Sequence, residues 1–267
     1  MISRRNFLAG SLAAVPAVGL LSRIAGAQAG GFRIGCQSYS FRKFPYEVAI
    51  AKLKELGLTE MEFCAVHFKP DAGDPAFAKV KETIAASGIK VSAYGVEGFS
   101  KDAAANRKKF EFAKALGIEI LSADPSPDSF DNLDELCKEF NIKIAIHNHG
   151  PKASYDKVAD TLKAVEGHSP LIGACVDTGH AIRSGEKPHE VIKALGARVH
   201  SLHLKDWKLG GKEQIIGKGD LDLAAVVKEL KAINFAGPIS MEYEESEDNP
   251  VPDMKVGLAN WNKAASV

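Results

Sequence analysis

One phrase recurs along the chain: a helical pattern that ends at a glycine and runs directly into a β-rich stretch. It is seen in KELGLTEMEFC, AASGIKVSAYG and AKALGIEILSA. The glycines of these stretches, Gly57, Gly88 and Gly117, lie about 30 residues apart, which is the length of one strand plus one helix. A glycine at this place is typical of the left-handed cap that ends a helix. The repeat therefore predicts a series of βα units.

Eight such units follow one another along most of the chain. Apolar and β-branched runs predict strands near 32–38, 60–64, 90–95, 118–123, 142–147, 172–177, 199–204 and 238–243, each followed by a helical pattern. Eight strands alternating with eight helices is the count of a closed barrel, whereas doubly wound sheets usually have fewer strands and carry G-x-G-x-x-G after the first, which this sequence lacks. We therefore predict an α/β fold, a single-domain (β/α)8 TIM barrel over residues 30–267.

The first 29 residues have a different character. The sequence MISRRNFLAGSLAAVPAVGLLSRIAGAQA has paired Arg4 and Arg5, an apolar stretch from Leu8 to Leu21, and small residues at its end. This order is typical of an export signal of the twin-arginine (Tat) type. The apolar stretch is shorter than the roughly 20 residues of a spanning helix, so no stable membrane insertion is expected. We expect residues 1–29 to engage the Tat export machinery and to be cleaved, leaving a periplasmic protein.

The composition limits the class of partner. Lysine and arginine together number 34, as do aspartate and glutamate, so the chain has no basic footprint for nucleic acid. A small, weakly charged molecule is the expected partner, and the sequence leaves open whether the barrel forms a homo-oligomer. The four cysteines follow no zinc or redox spacing, and three of them fall in apolar runs, so buried thiols are expected rather than disulfides.

Candidate chemistry lies where the predicted strands end. The carboxyl ends of all barrel strands meet at one mouth, and side chains two residues apart on a strand share a face. Five of the predicted strands end in ionisable residues that can reach this mouth. In chain order they are Glu62, the pair His147 and His149, the pair Asp177 and His180, the group His203, Lys205 and Asp206, and the pair Glu242 and Glu244.

These side chains offer nitrogen and oxygen ligands without sulfur. A single histidine near a strand end is more often a hydrogen-bonded structural residue, but several strand ends carrying suitable ligands together favour a metal site. One divalent ion is expected, with Mn²⁺ ahead of Co²⁺, Mg²⁺, Fe²⁺ or Zn²⁺ because carboxylates contribute to an open site. The candidate ligands are His147, His149, Asp177, His203 and Glu242, with the choice between the two neighbouring histidines left open.

The motifs VDTGH, HLKD and MEYE link the chain to a family. Nearly all of the sequence after the export signal resembles the xylose isomerase-like barrels, which include sugar phosphate isomerases and epimerases, ketose 3-epimerases, inosose dehydratases and endonuclease IV. In the ketose-acting members a metal is held from the last four strands, and Asp177, His203 and Glu242 match three of those ligands. The resemblance therefore implies a barrel-mouth metal site.

The same resemblance implies contacts with substrate. His180 matches a histidine that touches the substrate in the 3-epimerases, and Glu62 matches a carboxylate often found at the end of the second strand. Lys205 could bind an anion or donate to a leaving oxygen, and the Trp207 ring could stack on a sugar face. The alternative for these last two residues is an ion pair or packing at the barrel rim.

The chain departs from the ketose-acting members at IHNHG. Where those enzymes place a metal-bound glutamate on the fifth strand, this sequence has His147, so a symmetric two-glutamate epimerisation lacks one carboxylate. The expected catalytic residues are Glu242, His147, His180 and Lys205. His149 is a further candidate for the base, because imidazole titrates near neutral pH.

Together these features predict an enzyme. We expect a divalent-metal-dependent sugar isomerase or epimerase that acts through an enediolate on a ketose or related carbohydrate. The alternative is a lyase or dehydratase acting on a keto sugar or 3-keto glycoside, which the HNH form of the fifth strand resembles more closely. A non-catalytic sugar-binding barrel is a third hypothesis, and the balanced charge disfavours DNA repair.

Overall fold

The barrel strands lie where the repeat predicts them. In the computed structural model, which describes residues 29–267, they are β1 (Arg33–Gln37), β2 (Glu60–Phe63), β3 (Lys90–Phe99), β4 (Ile120–Pro125), β5 (Lys143–His147), β6 (Ile172–Asp177), β7 (Val199–Leu204) and β10 (Pro238–Met241). All neighbours pair in parallel, and the sheet closes in the order β1, β10, β7, β6, β5, β4, β3, β2. The predicted (β/α)8 TIM barrel is confirmed. The predicted Tat signal falls almost wholly outside the described residues.

The helices surround the barrel and follow its strands. They are α1 (Tyr46–Glu55), α2 (Phe77–Ser87), α3 (Ala103–Leu116), α4 (Phe130–Phe140), α5 (Val158–Val165), α6 (Thr178–Arg183), α7 (Pro188–Leu195), α8 (Leu223–Ala232) and α9 (Val251–Ala265). Helices α2 and α3 end at Gly88 and Gly117 with φ of 74° and 71°, as the glycine repeat predicts. Among the described residues, no helix has the length and apolar character needed to cross a membrane.

Two elements differ from the prediction. Helix α6 was not foreseen because it begins immediately after β6, so no loop residues separate the two patterns. The long connection from 205 to 220 adds a hairpin to the predicted units, made of the antiparallel strands β8 (Asp206–Trp207) and β9 (Glu213–Gln214). The hairpin follows β7 directly, so it stands at the carboxyl end of the barrel, where the candidate site lies.

A small apolar layer fills the barrel beneath that site. Ala93, Ile120, Ala145 and Cys175 form a buried cluster of their own. Ala145 lies two residues before the end of β5, and Cys175 two residues before the end of β6. Because alternate strand residues share a face, the residues that end β5 and β6 stand directly above this layer. All four cysteines are free and buried, as predicted.

Candidate metal centre and active site

Four ionisable side chains from four strand ends meet inside the barrel mouth. Ligand atoms of His147, Asp177, His203 and Glu242 all lie within 4.8 Å of one another, and all four residues are buried. His147 Nε2 is 3.4 Å from Asp177 Oδ2, and His203 Nδ1 is 3.3 Å from Glu242 Oε2. We call these four residues the metal group, because two imidazoles and two carboxylates in this arrangement could hold a divalent ion.

The atoms that face the centre of the metal group support this assignment. His147 Nε2, Asp177 Oδ2 and His203 Nδ1 are buried, and none has a hydrogen-bond partner within residues 29–267. Buried polar atoms are almost always paired, so three unpaired atoms converging from three strands need a common partner. A cation satisfies all three together, and nitrogen with carboxylate oxygen suits Zn²⁺, Mn²⁺, Fe²⁺ or Co²⁺.

The two oxygens of Asp177 have separate tasks. Oδ1 accepts the backbone N–H of His180 at 2.7 Å and thereby caps α6, which leaves Oδ2 facing the metal group. Asn148, at the centre of IHNHG, fixes the position of this residue: its amide donates to the Asp177 carbonyl at 2.9 Å and accepts from the Asp177 N–H at 2.8 Å. The ends of β5 and β6 are therefore locked together at the metal group.

Glu62 orients the His203 ring from below. Its Oε2 lies 3.0 Å from His203 Nε2 and accepts from Ser240 Oγ at 2.7 Å, while Oε1 accepts from Ser122 Oγ at 2.6 Å. Burial raises the pKa of Glu62, but the His203 ring and the two hydroxyls together lower it by more than burial raises it. The net pKa of Glu62 therefore lies below its usual value. The resulting carboxylate holds the proton of His203 on Nε2 and presents Nδ1 to the metal group.

This position differs from the one expected for Glu62. A contact with substrate was predicted, but the side chain is fully buried and is not part of the cavity lining. Alternation along β2 correctly pointed the carboxylate into the barrel. It could not show that the His203 ring would lie above Glu62 and separate it from the cavity.

Lys205 is buried beside the two carboxylates of the metal group. Its Nζ lies 3.0 Å from Glu242 Oε2 and 3.8 Å from Asp177 Oδ2, and it also pairs with Glu244. Burial opposes the charged form, yet Glu242, Asp177 and Glu244 raise the pKa of Lys205 well above its usual value. A Cβ on Gly179 would lie 2.7 Å from Lys205 Cγ, so the glycine of VDTGH leaves room for the lysine stem.

His180 presents a defined proton to the cavity. Its Nδ1 lies 2.8 Å from Arg183 Nη1, and its Nε2 lies 4.0 Å from Asp177 Oδ2. Because a guanidinium can only donate, Nδ1 must accept, and the neutral ring carries its proton on Nε2. Burial lowers the pKa of His180 to about 3; Asp177 opposes this shift and Lys205 adds to it. His180 is therefore a neutral hydrogen-bond donor.

The two histidines of IHNHG occupy different environments. His147 belongs to the metal group, whereas His149 is exposed and lies outside it. The His149 ring stacks on the His180 ring with centroids 4.8 Å apart, and it lies 5.1 Å from the His147 ring. The candidate ligation by His149 therefore has no support in the geometry, and His149 stands at the rim of the mouth.

A cavity of about 610 Å³ opens above the metal group, a volume typical of sites for small molecules. Trp207 lines it, half-buried, with the Arg183 guanidinium 4.8 Å from the centre of the Trp207 ring. Some lining residues were not singled out from the sequence, because they lie in a loop, at the end of the unforeseen α6 or on the hairpin. They include Arg42, Arg183 and Glu213.

Known proteins resemble this chain in sequence and in architecture. An inosose dehydratase of Clostridium perfringens is 26% identical over 229 residues, which cover 76% of each chain. An uncharacterised protein of Parabacteroides distasonis superposes with a TM-score of 0.69 at 29% identity, covering 87% of this chain and 98% of that one. The IolI protein, solved with a bound zinc atom, shares the fold with a TM-score of 0.71 at 17% identity, covering 88% and 98%. The sequence model of the xylose isomerase-like TIM barrel family matches residues 50–264, and this chain belongs to that family.

Proposed function

We propose that this protein is a divalent-metal-dependent dehydratase that removes water from a keto-cyclitol or a keto sugar. The observation that carries the proposal is the place of His147 in the metal group, 3.4 Å from Asp177 Oδ2. The ketose-acting members of the family have a glutamate there and use it with a second glutamate. The similarity to an inosose dehydratase over 229 residues also supports a dehydratase.

A proton must leave the carbon next to the substrate carbonyl, and Glu242 is the base best placed to take it. A divalent ion held by His147, Asp177, His203 and Glu242 would supply Lewis-acid polarisation of that carbonyl. Burial raises the pKa of Glu242, but Lys205 and His203 together outweigh it and lower the pKa, so the side chain is a carboxylate at neutral pH. His147 is less suited to this task, because its Nε2 faces the metal group, whereas Glu242 has a second carboxylate oxygen besides Oε2.

Two donors beside the metal group suit the charge that develops during proton removal. Lys205 is a buried ammonium 3.0 Å from Glu242 Oε2, so its charge lies next to the proposed base. His180 offers its Nε2 proton to a substrate hydroxyl, because its Nδ1 is occupied by Arg183. Fixed donors stabilise an enediolate without reorganising as the reaction proceeds.

The same enediolate also supports the second candidate function. If a proton returns to the other carbon or the other face, the product is a ketose isomer or epimer, as the metal group and family membership allow. A symmetric epimerase of the two-glutamate kind needs a second carboxylate at the fifth strand, and His147 occupies that place. Loss of an oxygen substituent from the neighbouring carbon needs no second carboxylate there, which favours dehydration.

Product analysis in D₂O separates these functions. Mn²⁺-loaded protein is incubated with an inosose and with a panel of free ketoses, and products are followed by proton NMR and mass spectrometry. Dehydration yields an unsaturated product lighter by one water, as we expect with the inosose. A product that keeps all its oxygen atoms and gains only deuterium would establish the isomerase or epimerase. Binding without deuterium exchange would leave only a sugar-binding barrel.

Two further assignments accompany the proposal. We propose that Mn²⁺ is the resident ion, which elemental analysis of protein purified from its native host would test.

We also propose that residues 1–29 direct export by the Tat pathway to the periplasm. Replacing Arg4 and Arg5 by lysine should retain the protein in the cytoplasmic fraction; a periplasmic location for that variant would refute Tat export.

A further inference from the structure

The hairpin above the barrel mouth carries a carboxylate that the chemistry so far leaves unused. We propose that Glu213 donates the proton that leaves with the departing oxygen, an inference that rests on the proposed dehydratase function. Elimination of water needs an acid as well as a base, because hydroxide is a poor leaving group until it is protonated.

Glu213 faces the substrate cavity although it lies in a connection between barrel elements. The residue is 4% exposed, and it lines the same cavity as Glu242 and Lys205. Both of its carboxylate oxygens lie 3.2 Å from one donor, the N–H of Glu244, and the part of the chain that the structure describes offers its side chain no other hydrogen-bond donor. One backbone donor shared by two oxygens leaves hydrogen-bonding capacity free for a ligand.

The loop that carries Glu213 is anchored by a buried carboxylate. The carboxylate of Asp206 is fully buried and accepts the N–H groups of Gly217 and Gly219 at 2.8 Å each and that of Leu221 at 3.0 Å. A Cβ on Gly219 would lie 2.3 Å from Asp206 Oδ1, so this close approach requires glycine. Asp206 therefore ties the start of β8 to the chain that follows β9 and anchors the loop that carries Glu213.

The surrounding charges make Glu213 the acid of the cavity. Lys205 contacts Glu242 and Glu244 but lies farther than 4.0 Å from Glu213, so the single ammonium is already shared. Burial, helped by the charges of Glu244 and Glu242, raises the pKa of Glu213 to about 8 against the opposing effect of Lys205. A carboxylic acid of this kind is protonated near neutral pH and is matched to proton donation, whereas Lys205 holds its proton too tightly.

The step balances without any oxidant or reductant. Glu242 takes the proton from carbon, and the electron pair of that C–H bond forms the carbon–carbon double bond. The neighbouring C–O bond breaks, and its oxygen leaves as water after receiving the proton of Glu213. Glu213 is left as a carboxylate and Glu242 as an acid, and exchange with solvent restores both.

The variant Glu213→Gln tests this role, because the amide oxygen can still accept the Glu244 N–H while the acidic proton is lost. We expect formation of dehydrated product from an inosose to fall roughly 10²- to 10⁴-fold, the usual contribution of a general acid. Exchange of the substrate α-proton in D₂O should continue near the wild-type rate. An analogue with fluoride in place of the departing hydroxyl should lose fluoride equally fast in both proteins, since fluoride leaves unprotonated.

A matched control removes a carboxylate from the outer side of the same loop. Asp220 pairs there with Lys208, and Asp220→Asn should dehydrate the inosose at the wild-type rate. Wild-type dehydration by Glu213→Gln would overturn the inference, as would an equal slowing of water and fluoride loss, which indicates a structural role. If the wild-type protein neither exchanges the proton nor forms dehydrated product, the proposed function itself fails and the inference fails with it.

Discussion

Replacing Glu62 by glutamine tests whether the buried metal group binds an ion through an oriented histidine. In the native protein the Glu62 carboxylate accepts a hydrogen bond from His203 Nε2 at 3.0 Å, which leaves Nδ1 available to a metal ion. Glutamine keeps the length of the side chain and one oxygen for His203. Its amide group can donate to the Ser122 hydroxyl, which lies 2.6 Å from the native carboxylate. The fold should therefore survive while the negative charge beneath the histidine is lost.

The expected magnitude follows from that lost charge. Residues that orient a metal-ligating histidine typically contribute a factor of roughly 10 to 100 in metal affinity. Each factor of ten is about 1.4 kcal/mol, so Glu62→Gln should weaken binding of a divalent ion by about 1.4 to 2.8 kcal/mol. The four residues of the metal group remain in place, so binding should be weakened rather than abolished.

Competition between the metal-free protein and a chelator for Mn²⁺ measures this change in affinity. A matched control is Glu60→Gln on the same strand, because Glu60 pairs with Arg33 at the opposite end of the barrel. We expect Glu60→Gln to bind Mn²⁺ with native affinity. The reasoning is refuted if Glu62→Gln also binds with native affinity, or if both variants weaken binding equally.

Three further predictions concern the metal group, the loop and a buried histidine. Asp177→Ala should lose the metal by elemental analysis while His149→Ala keeps it; loss of metal from His149→Ala would contradict the assignment of His147. Asp206→Asn removes the acceptor of two N–H groups, at about 1.5 kcal/mol each or about 3 kcal/mol in total, and should lower Tm by roughly 6–12 °C in calorimetry; an unchanged Tm would count against the anchoring role. Burial lowers the pKa of His200 from 6.5 to about 4, so between pH 6.5 and about 4 the imidazole is protonated in the unfolded chain but neutral in the folded protein. About 3 kcal/mol of stability should be lost as pH falls through this window, and His200→Gln should lose less in denaturant titrations; parallel pH profiles would refute this cause.

The barrel and the core of the site were accessible from the sequence because both depend on regular periods. The spacing of Gly57, Gly88 and Gly117 gave the βα unit, and the two-residue period of strands placed the metal group at one mouth. His147, Asp177 and His203 lie on the last or next-to-last residues of their strands, where this period still holds.

The remaining features depend on tertiary contacts without a local period. His149 lies two residues beyond the end of β5, where the strand period no longer fixes a direction, and its ring turns to the rim. Glu213 belongs to a strand of only two residues, which is too short for any hydrophobic pattern. The sequence does contain one indication of this loop, namely Asp206 followed by Gly217 and Gly219. An acidic residue followed by glycines is typical of a tight loop, and the structure shows both glycine N–H groups bonded to Asp206.

The central claim, metal-dependent dehydration at the metal group, is tested most directly by joining metal content to turnover. Metal-free protein is titrated with Mn²⁺ while the dehydrated product of an inosose is quantified by mass spectrometry. We predict that activity rises linearly to one ion per chain and then stays constant, and that Asp177→Ala shows no activity at any metal concentration. Full turnover without metal, or a product of unchanged mass, would contradict the account.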